Sequence, residues 1–383
     1  MNLKTKQLFV LAILFLILSN HRSFSQGKFK SNFIDSTDNA FDVSNWLATA
    51  YGFFPIIMPI TEPATGIGLA GGLVFIHRNK KELAAGIKSP PSISAIGGAY
   101  TQNGTWGIFA FHQGIWKRDK FRYKGALGYV SANLKYYPEI LPVGINFNLK
   151  GFFLMQELIV RVRNSNFFLG GNYSYFSSKS TFSFDRDLPI DSIQLDLGLS
   201  QIGPVLVYDS RDNTFTPNTG MFFKAIYSWY DSLIGSDLNY SLLTTYWLGF
   251  SNRINKMVIG LRADARFAFG DTPYFSKPYI MLRGIPIMRY QGDQVYVLET
   301  EERWDIIKRW SLVGFAGIGN AVTFKKNTVN GDSNFSEWAY SLGGGFRYKI
   351  ASKFGIYTGI DIAKGPEEWA FYIQFGHYWN SLR

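Results

Sequence analysis

The chain has no cysteine among its 383 residues. Disulfides, thiolate metal sites and a cysteine nucleophile are therefore excluded, as is a lipid anchor carried on an N-terminal cysteine. Long apolar runs are missing too. The longest lies at residues 8–18, just after Lys4 and Lys6, and is too short to cross a bilayer. No later stretch approaches the ~18 uncharged apolar residues of a spanning helix. Histidine is sparse: His21, His77, His112 and His377 are scattered. The chain has no His-Glu-x-x-His, no Gly-x-Ser-x-Gly elbow and no Walker-type glycine loop. His112 has no recognisable activated serine, as a phospholipase would need. No catalytic residue, metal ligand or cofactor is expected, and no nucleic-acid partner.

What is present begins with a leader. Lys4 and Lys6, the apolar run, and Ser23-Phe24-Ser25 read as a secretory signal at residues 1–25, cleaved after Ser25. Residues 26–51 are too few for a globular domain. They read as a short periplasmic N-terminal extension or a plug, with Asp42 or Ser44 able to cap one or two helical turns. Residues 52–383 remain for the main domain. Removing Lys4, Lys6 and Arg22 takes the formal net charge from +11 to +8, since 11 − 3 = 8. That excess suits solvated loops, or contact with the acidic sugars and phosphates of outer-membrane lipid and lipopolysaccharide.

Charged residues make up 17% of the chain and aromatic residues another 17%, a balance that suits lipid-facing strands between aromatic girdles. From Phe53 onward the sequence breaks into sixteen runs rich in Phe, Tyr, Ile, Val and Gly, separated by Asn, Asp, Gly, Pro and Lys. Asn103-Gly104 is a hairpin signal between two of them. A two-residue period is plain at 260–269, where Arg262, Asp264 and Arg266 oppose Leu261, Ala263, Ala265, Phe267 and Phe269. It recurs at 295–304, where Val295, Val297, Glu299, Glu301 and Arg303 oppose Tyr296, Leu298, Thr300, Glu302 and Trp304. A charged face opposite a mostly apolar one asks for two solvents. Backbone in lipid must be hydrogen-bonded internally, so a chain without spanning helices crosses a membrane only as a closed barrel. A soluble secreted β protein is the other reading, although a sandwich core needs only a few such faces. Gly317, Gly319, Gly343 and Gly345 would leave an inner floor without side chains, against which a loop could lie.

Asp209-Ser210-Arg211-Asp212-Asn213 leads through Phe215 and Pro217 to Gly220. Then come Leu282-Arg283-Gly284-Ile285, Glu301-x-Arg303, Phe346-Arg347 after three glycines, and an aromatic final strand. Over residues 50–379 this succession resembles the barrel domain of the bacterial surface antigen superfamily, the BamA/TamA-type outer-membrane proteins. The resemblance implies an all-β fold: a 16-stranded antiparallel transmembrane β-barrel, eleven strands before the Arg-Gly loop and five after it. It also implies that this loop folds back into the lumen, where Arg283 meets Glu301 on the inner wall, with Glu299 as a second carboxylate. Gly284 and Arg303 belong to the same set. Asp209, Arg211, Asp212, Asn213, Pro217, Gly220 and Arg347 carry the rest of the motif. A guanidinium fork inside a narrow lumen accepts a bidentate carboxylate, and desolvation makes its loss costly. Taken alone, Leu-Arg-Gly would read equally as a solvated extracellular loop. Two features depart from the family: glycines stand at 317 and 319, where members often carry an Asp, and the chain runs past Trp379 to Arg383.

The family's activity implies help with the insertion or export of macromolecules. Its seam between first and last strands is thought to open towards the bilayer. Here those strands would be 53–60 and 369–379, with Pro55 and Pro59 removing ladder donors on one side and Phe371 and Phe375 on the other. The sequence shows no POTRA repeats and no patatin-type lipase, and looks like a barrel-only member. Clients would then arrive through other outer-membrane assembly components or a second copy in a homodimer. The alternative is a passive channel or a structural subunit of a larger outer-membrane complex.

Overall fold

The computed structural model describes residues 32–49, 52–77, 92–137, 144–183, 192–325 and 333–382. The expected leader at 1–25 lies outside them. Two compact units result, one made of Met1–Thr49 with Ile350–Phe354, the other of Ala50–Lys349 with Gly355–Arg383. In the first, a short helix, α1 (Ser44–Thr49), begins beside the expected cap. The Asp42 carboxylate accepts the backbone N–H groups of Ser44 at 2.6 Å and Ser352 at 3.0 Å. Burial disfavours its charge, but the Ser352 and Ser44 hydrogen bonds outweigh that and hold the carboxyl well below the usual carboxylate range. The Ser44 hydroxyl in turn accepts the Lys353 N–H at 3.0 Å.

The second unit carries the sheet. Its strands are β1 (Gly52–Glu62), β2 (Gly66–His77), β3 (Ser92–Thr101), β4 (Trp106–Trp116), β5 (Phe121–Tyr136), β6 (Ile145–Arg161), β7 (Phe167–Ser183) and β8 (Ser192–Asp209). They continue as β9 (Gly220–Tyr230), β10 (Tyr240–Ser251), β11 (Met257–Gly270), β12 (Gln294–Ile307), β13 (Trp310–Lys325), β14 (Ser333–Ala351), β15 (Ile356–Lys364) and β16 (Trp369–Phe375). Hydrogen-bonded order equals sequence order, so every connection is a hairpin and β1 and β16 are the two ends of the sheet. These ends are neighbours, and the sheet is a nearly closed antiparallel barrel. Eleven strands precede the Arg-Gly loop and five follow it.

Why this sequence makes this wall is visible in each alternation. On β12, Val295, Val297, Glu299, Glu301 and Arg303 are buried while Tyr296, Leu298 and Trp304 are exposed. On β16, Ala370, Tyr372 and Gln374 point in, and Trp369, Phe371, Ile373 and Phe375 point out. The outward set includes Ile57 at 76% exposure, Leu298 at 61% and Trp369 at 68%. Water would not tolerate so broad an apolar surface on a monomer. Aromatic pairs stand at both ends of β4: Trp106 against Tyr129 at 5.8 Å and Trp116 against Tyr123 at 5.9 Å between ring centroids. Trp106 and Trp116 open and close that eleven-residue strand. Roughly 33 Å of strand, tilted by about 40°, stands roughly 25 Å high, the height of an outer-membrane apolar band.

Both expected end strands differ in their bounds, and β1 runs Gly52–Glu62 where 53–60 was expected. The last strand was expected to run to Trp379, but β16 ends at Phe375. Gly376 takes a φ of +76°, which glycine adopts without the Cβ penalty, and the chain turns inward into a 3₁₀ segment at Tyr378–Leu382. His377 and Trp379, inside the expected 369–379 strand, therefore leave the wall.

Candidate functional site: a buried arginine beneath the seam

The 271–293 connection between β11 and β12 is a narrow finger. Tyr279 bridges Gln291, the Ile280 N–H donates to the Tyr290 carbonyl at 3.0 Å, and Gly292 N–H donates to Pro278 at 3.0 Å. Its apolar side lies on the glycine floor. A Cβ on Gly317 would stand 2.6 Å from Leu282, and one on Gly319 would stand 2.6 Å from Ile280. Gly343 and Gly345, expected in the same floor, serve other neighbours: the Phe315 ring and the Asp361 carboxylate.

At the tip, Arg283 is 0% exposed. Its guanidinium donates to Glu299 Oε1 at 2.8 Å and to Asp361 Oδ2 at 2.9 Å. Glu301 Oε2 lies 2.8 Å from Arg283 Nη1 without a directed hydrogen bond, so that contact is electrostatic. The guanidinium carbon lies 3.4 Å from the centroid of the Phe315 ring and 4.6 Å from that of Tyr378, two cation–π contacts. Burial disfavours the charge, but Glu301, Glu299 and Asp361 outweigh that and hold Arg283 protonated. The carboxylates have further donors. Glu299 Oε2 accepts Arg262 Nη1 at 2.7 Å and the Trp379 indole N–H at 2.7 Å. Asp361 also binds Arg347, Arg262 also binds Asp264, and His377 Nε2 is 3.3 Å from Glu301.

The motif residues from Asp209 to Gly220 build the 210–219 loop. Asp209 receives Arg211 at 2.8 Å and Arg122 at 2.9 Å, and Arg211 lies on the Phe222 ring at 4.4 Å. Asp212 accepts the N–H groups of Asn218 and Thr219, and Asn213 those of Phe215 and Thr216. Pro217 is fully buried, and Gly220 reaches φ +97° against the Ser210 backbone. This loop touches the arginine network at second hand. Its Asn218 accepts Arg303 of β12, and its Phe215 carbonyl accepts the His377 N–H at 2.8 Å and the Asn380 side chain at 2.6 Å.

Asp361, Trp379, Phe315, Tyr378 and His377 were not anticipated in this network. Asp361 supplies the acid that the glycines of β13 do not, from β15 instead; its signal was a lone carboxylate between Ile360 and Ile362. Trp379 was hidden because an aromatic near a barrel end reads as a girdle residue.

The finger also reaches both sides of the seam. Gly284 N–H donates to the Tyr372 hydroxyl of β16 at 2.8 Å, and Pro286 and Ile287 line one cavity with Pro63 and Ala64, just past the end of β1. Pro55 and Pro59 lie exposed on β1, and Phe371 and Phe375 are exposed on β16. Gly284 sits at φ +84°, and a Cβ there would stand 2.7 Å from Gly365 N in the β15–β16 turn. Gly284→Val is accordingly expected to push the tip out at a cost of about 1–3 kcal/mol. Trypsin should then cut beside Arg283 and Arg289 in folded protein; unchanged resistance would show that the tip tolerates the side chain.

No protein-family model matches the chain, and no curated protein matches it. Solved structures do. BamA from Haemophilus ducreyi lacking POTRA domains 1–3 superposes with a TM-score of 0.54 at 12% identity, over 85% of this chain and 69% of that one. CdiB from Escherichia coli gives 0.54 at 10% identity, over 84% of this chain and 61% of its own. CdiB from Acinetobacter baumannii gives 0.52 at 11%, over 84% and 59%. The protein thus spans less than two thirds of either CdiB chain. At such identities the likeness is one of fold, and the fold is that of the BamA- and CdiB-type outer-membrane β-barrels.

Proposed function

We propose that this barrel assists the insertion or export of macromolecules at the outer membrane of a diderm bacterium, acting without enzymatic chemistry through a seam between β1 and β16 that the finger holds shut. The observation that carries this is the finger's double reach. Gly284 binds β16 and Ile287 lies beside the turn that follows β1, while Arg283 anchors the tip to three carboxylates. A clamp across two strand ends has a purpose where those ends can part. Clients would be handed over by other outer-membrane components or by a second copy of the chain.

The rival, a static channel or structural subunit, uses the same wall. The finger and the C-terminal segment occupy the inside at Glu299, which disfavours a wide pore. Affinity purification from outer membranes in mild detergent, followed by mass spectrometry, tests the proposal. Co-purifying assembly or export components are expected. A lone barrel that conducts large steady currents in planar bilayers would overturn the client-handling role in favour of the channel.

A further inference from the structure

The outward face near one end of β2–β6 is unlike the rest of the wall. Ser94 of β3 sits directly opposite His112 of β4, His112 opposite Gly125 of β5, and Gly125 opposite Gln156 of β6. The groups are joined. His77, the last residue of β2, is 2.8 Å from the Ser94 hydroxyl, and that hydroxyl is 2.8 Å from His112 Nδ1. The Tyr123 hydroxyl reaches over Gly125 to Gln156. Trp116 folds over Gly114 in the same way and stacks on Tyr123 at 5.9 Å and 16°, with His112 6.3 Å and 6.0 Å from the two rings. The absent side chains at 114 and 125 let two rings lie flat against the wall, so this is a fixed surface. A polar row facing lipid is costly unless polar partners reach it.

Beside it, the β4–β5 turn supplies charge. Lys117, Arg118 and Asp119 take φ values of +52°, +56° and +63°, and Lys120 N–H closes on the Trp116 carbonyl at 3.0 Å. Lys117 and Lys120 place their ammonium groups over the outward Phe121 ring, 5.2 Å and 5.8 Å from its centroid. Asp119, the acid of the turn, is turned away and bound by Arg122 and Arg161. On the other side of the polar row the wall returns to exposed aliphatics, Ile96, Ile108 and Leu127.

We propose that this corner binds one anionic phospholipid, its phosphate against Lys117 and Lys120, its headgroup oxygens on the His77–Ser94–His112 row, and its chains along Ile96, Ile108 and Leu127. The order of cation, polar row and aliphatic strip matches that of phosphate, glycerol and acyl chain, and the charges are complementary. The site rests on the reading that the barrel spans a membrane.

Native mass spectrometry of detergent-solubilised protein, given phosphatidylglycerol or phosphatidylcholine in turn, tests it. Wild type is expected to retain phosphatidylglycerol at least tenfold better. The Lys117→Gln/Lys120→Gln pair should weaken that retention on the order of thirtyfold, with mobility on unboiled gels unchanged. His112→Leu should weaken it several-fold, where diffuse charge attraction alone would leave it intact. Equal retention of the two lipids, a preference that survives the double lysine variant, preferred retention of lipid A, or a dimer abolished by the same substitutions would each overturn the site. Failure to insert into bilayers at all would instead defeat the membrane reading beneath it.

Discussion

Arg283→Ala is expected to cost the barrel about 3–5 kcal/mol, the usual penalty for removing one partner from a buried ion pair. The size follows from what is left behind. Glu299, Glu301 and Asp361 would keep Arg262, Arg347, His377 and the Trp379 N–H as partners, but four carboxylates, with Asp264, would then face three guanidiniums, Arg262, Arg266 and Arg347, where four stood before. Desolvation that the missing fork had offset would be uncompensated, and the Phe315 and Tyr378 rings would lose their cation. Heat-resistant mobility on unboiled gels and the urea midpoint in detergent should both fall. Arg283→Lys keeps the charge but not the fork and should land between the two. Pairing Arg283→Met with Glu299→Gln should recover part of the loss, since it withdraws one stranded charge along with its partner. Unchanged mobility and midpoint in Arg283→Ala would return this residue to the status of a solvated loop arginine.

The wall was legible because a membrane barrel leaves so little freedom. A strand with water on one side and lipid on the other has to alternate, and a slip of one residue would put Arg262 or Glu299 into lipid. Such alternation needs no tertiary information, and sixteen strands with an eleven-to-five division around the finger followed from it together with the family pattern. The network was harder to read. Arg283 and Glu299 stand out as residues, yet nothing local distinguishes Asp361 from any inward polar position, because its role is set by β15 lying beneath the finger. Gly317 and Gly319 signalled the finger's path, since only a close approach makes missing side chains useful there; the same argument placed Gly343 and Gly345 wrongly, because it cannot tell a loop from a neighbouring Phe or Asp. Past β16, composition misleads. His-Tyr-Trp-Asn continues the aromatic rhythm of the strand, and only the glycine at 376 marks the departure.

That departure gives the second large expectation. Trp379 is 1% exposed, and its ring lies against Gly260, where a Cβ would stand 3.0 Å away, and against Phe250 at 5.8 Å. Its indole N–H shares Glu299 with Arg262 and Arg283. Trp379→Ala should therefore cost about 3–5 kcal/mol in lost packing. Trp379→Phe, which keeps most of the apolar volume and loses the donor, should cost about 1–2 kcal/mol. The loss should be felt locally first. β16 has seven residues, pairs with β15 on one side, and ends the sheet. Beyond it the chain is held by Gly376 N–H on the Tyr357 carbonyl at 2.7 Å and His377 N–H on Phe215 at 2.8 Å. A loosened Trp379 leaves those two backbone bonds and the Asn380 side chain on the Phe215 carbonyl as the main tether, so amide exchange in β16 should accelerate about 100-fold or more while β8 stays protected, at roughly 1.4 kcal/mol per tenfold change. The strand nearest the seam and the arginine beneath it would then be coupled through one indole. Exchange that rose equally in β8 and β16 would mean that Trp379 supports the whole barrel, with no particular hold on the seam.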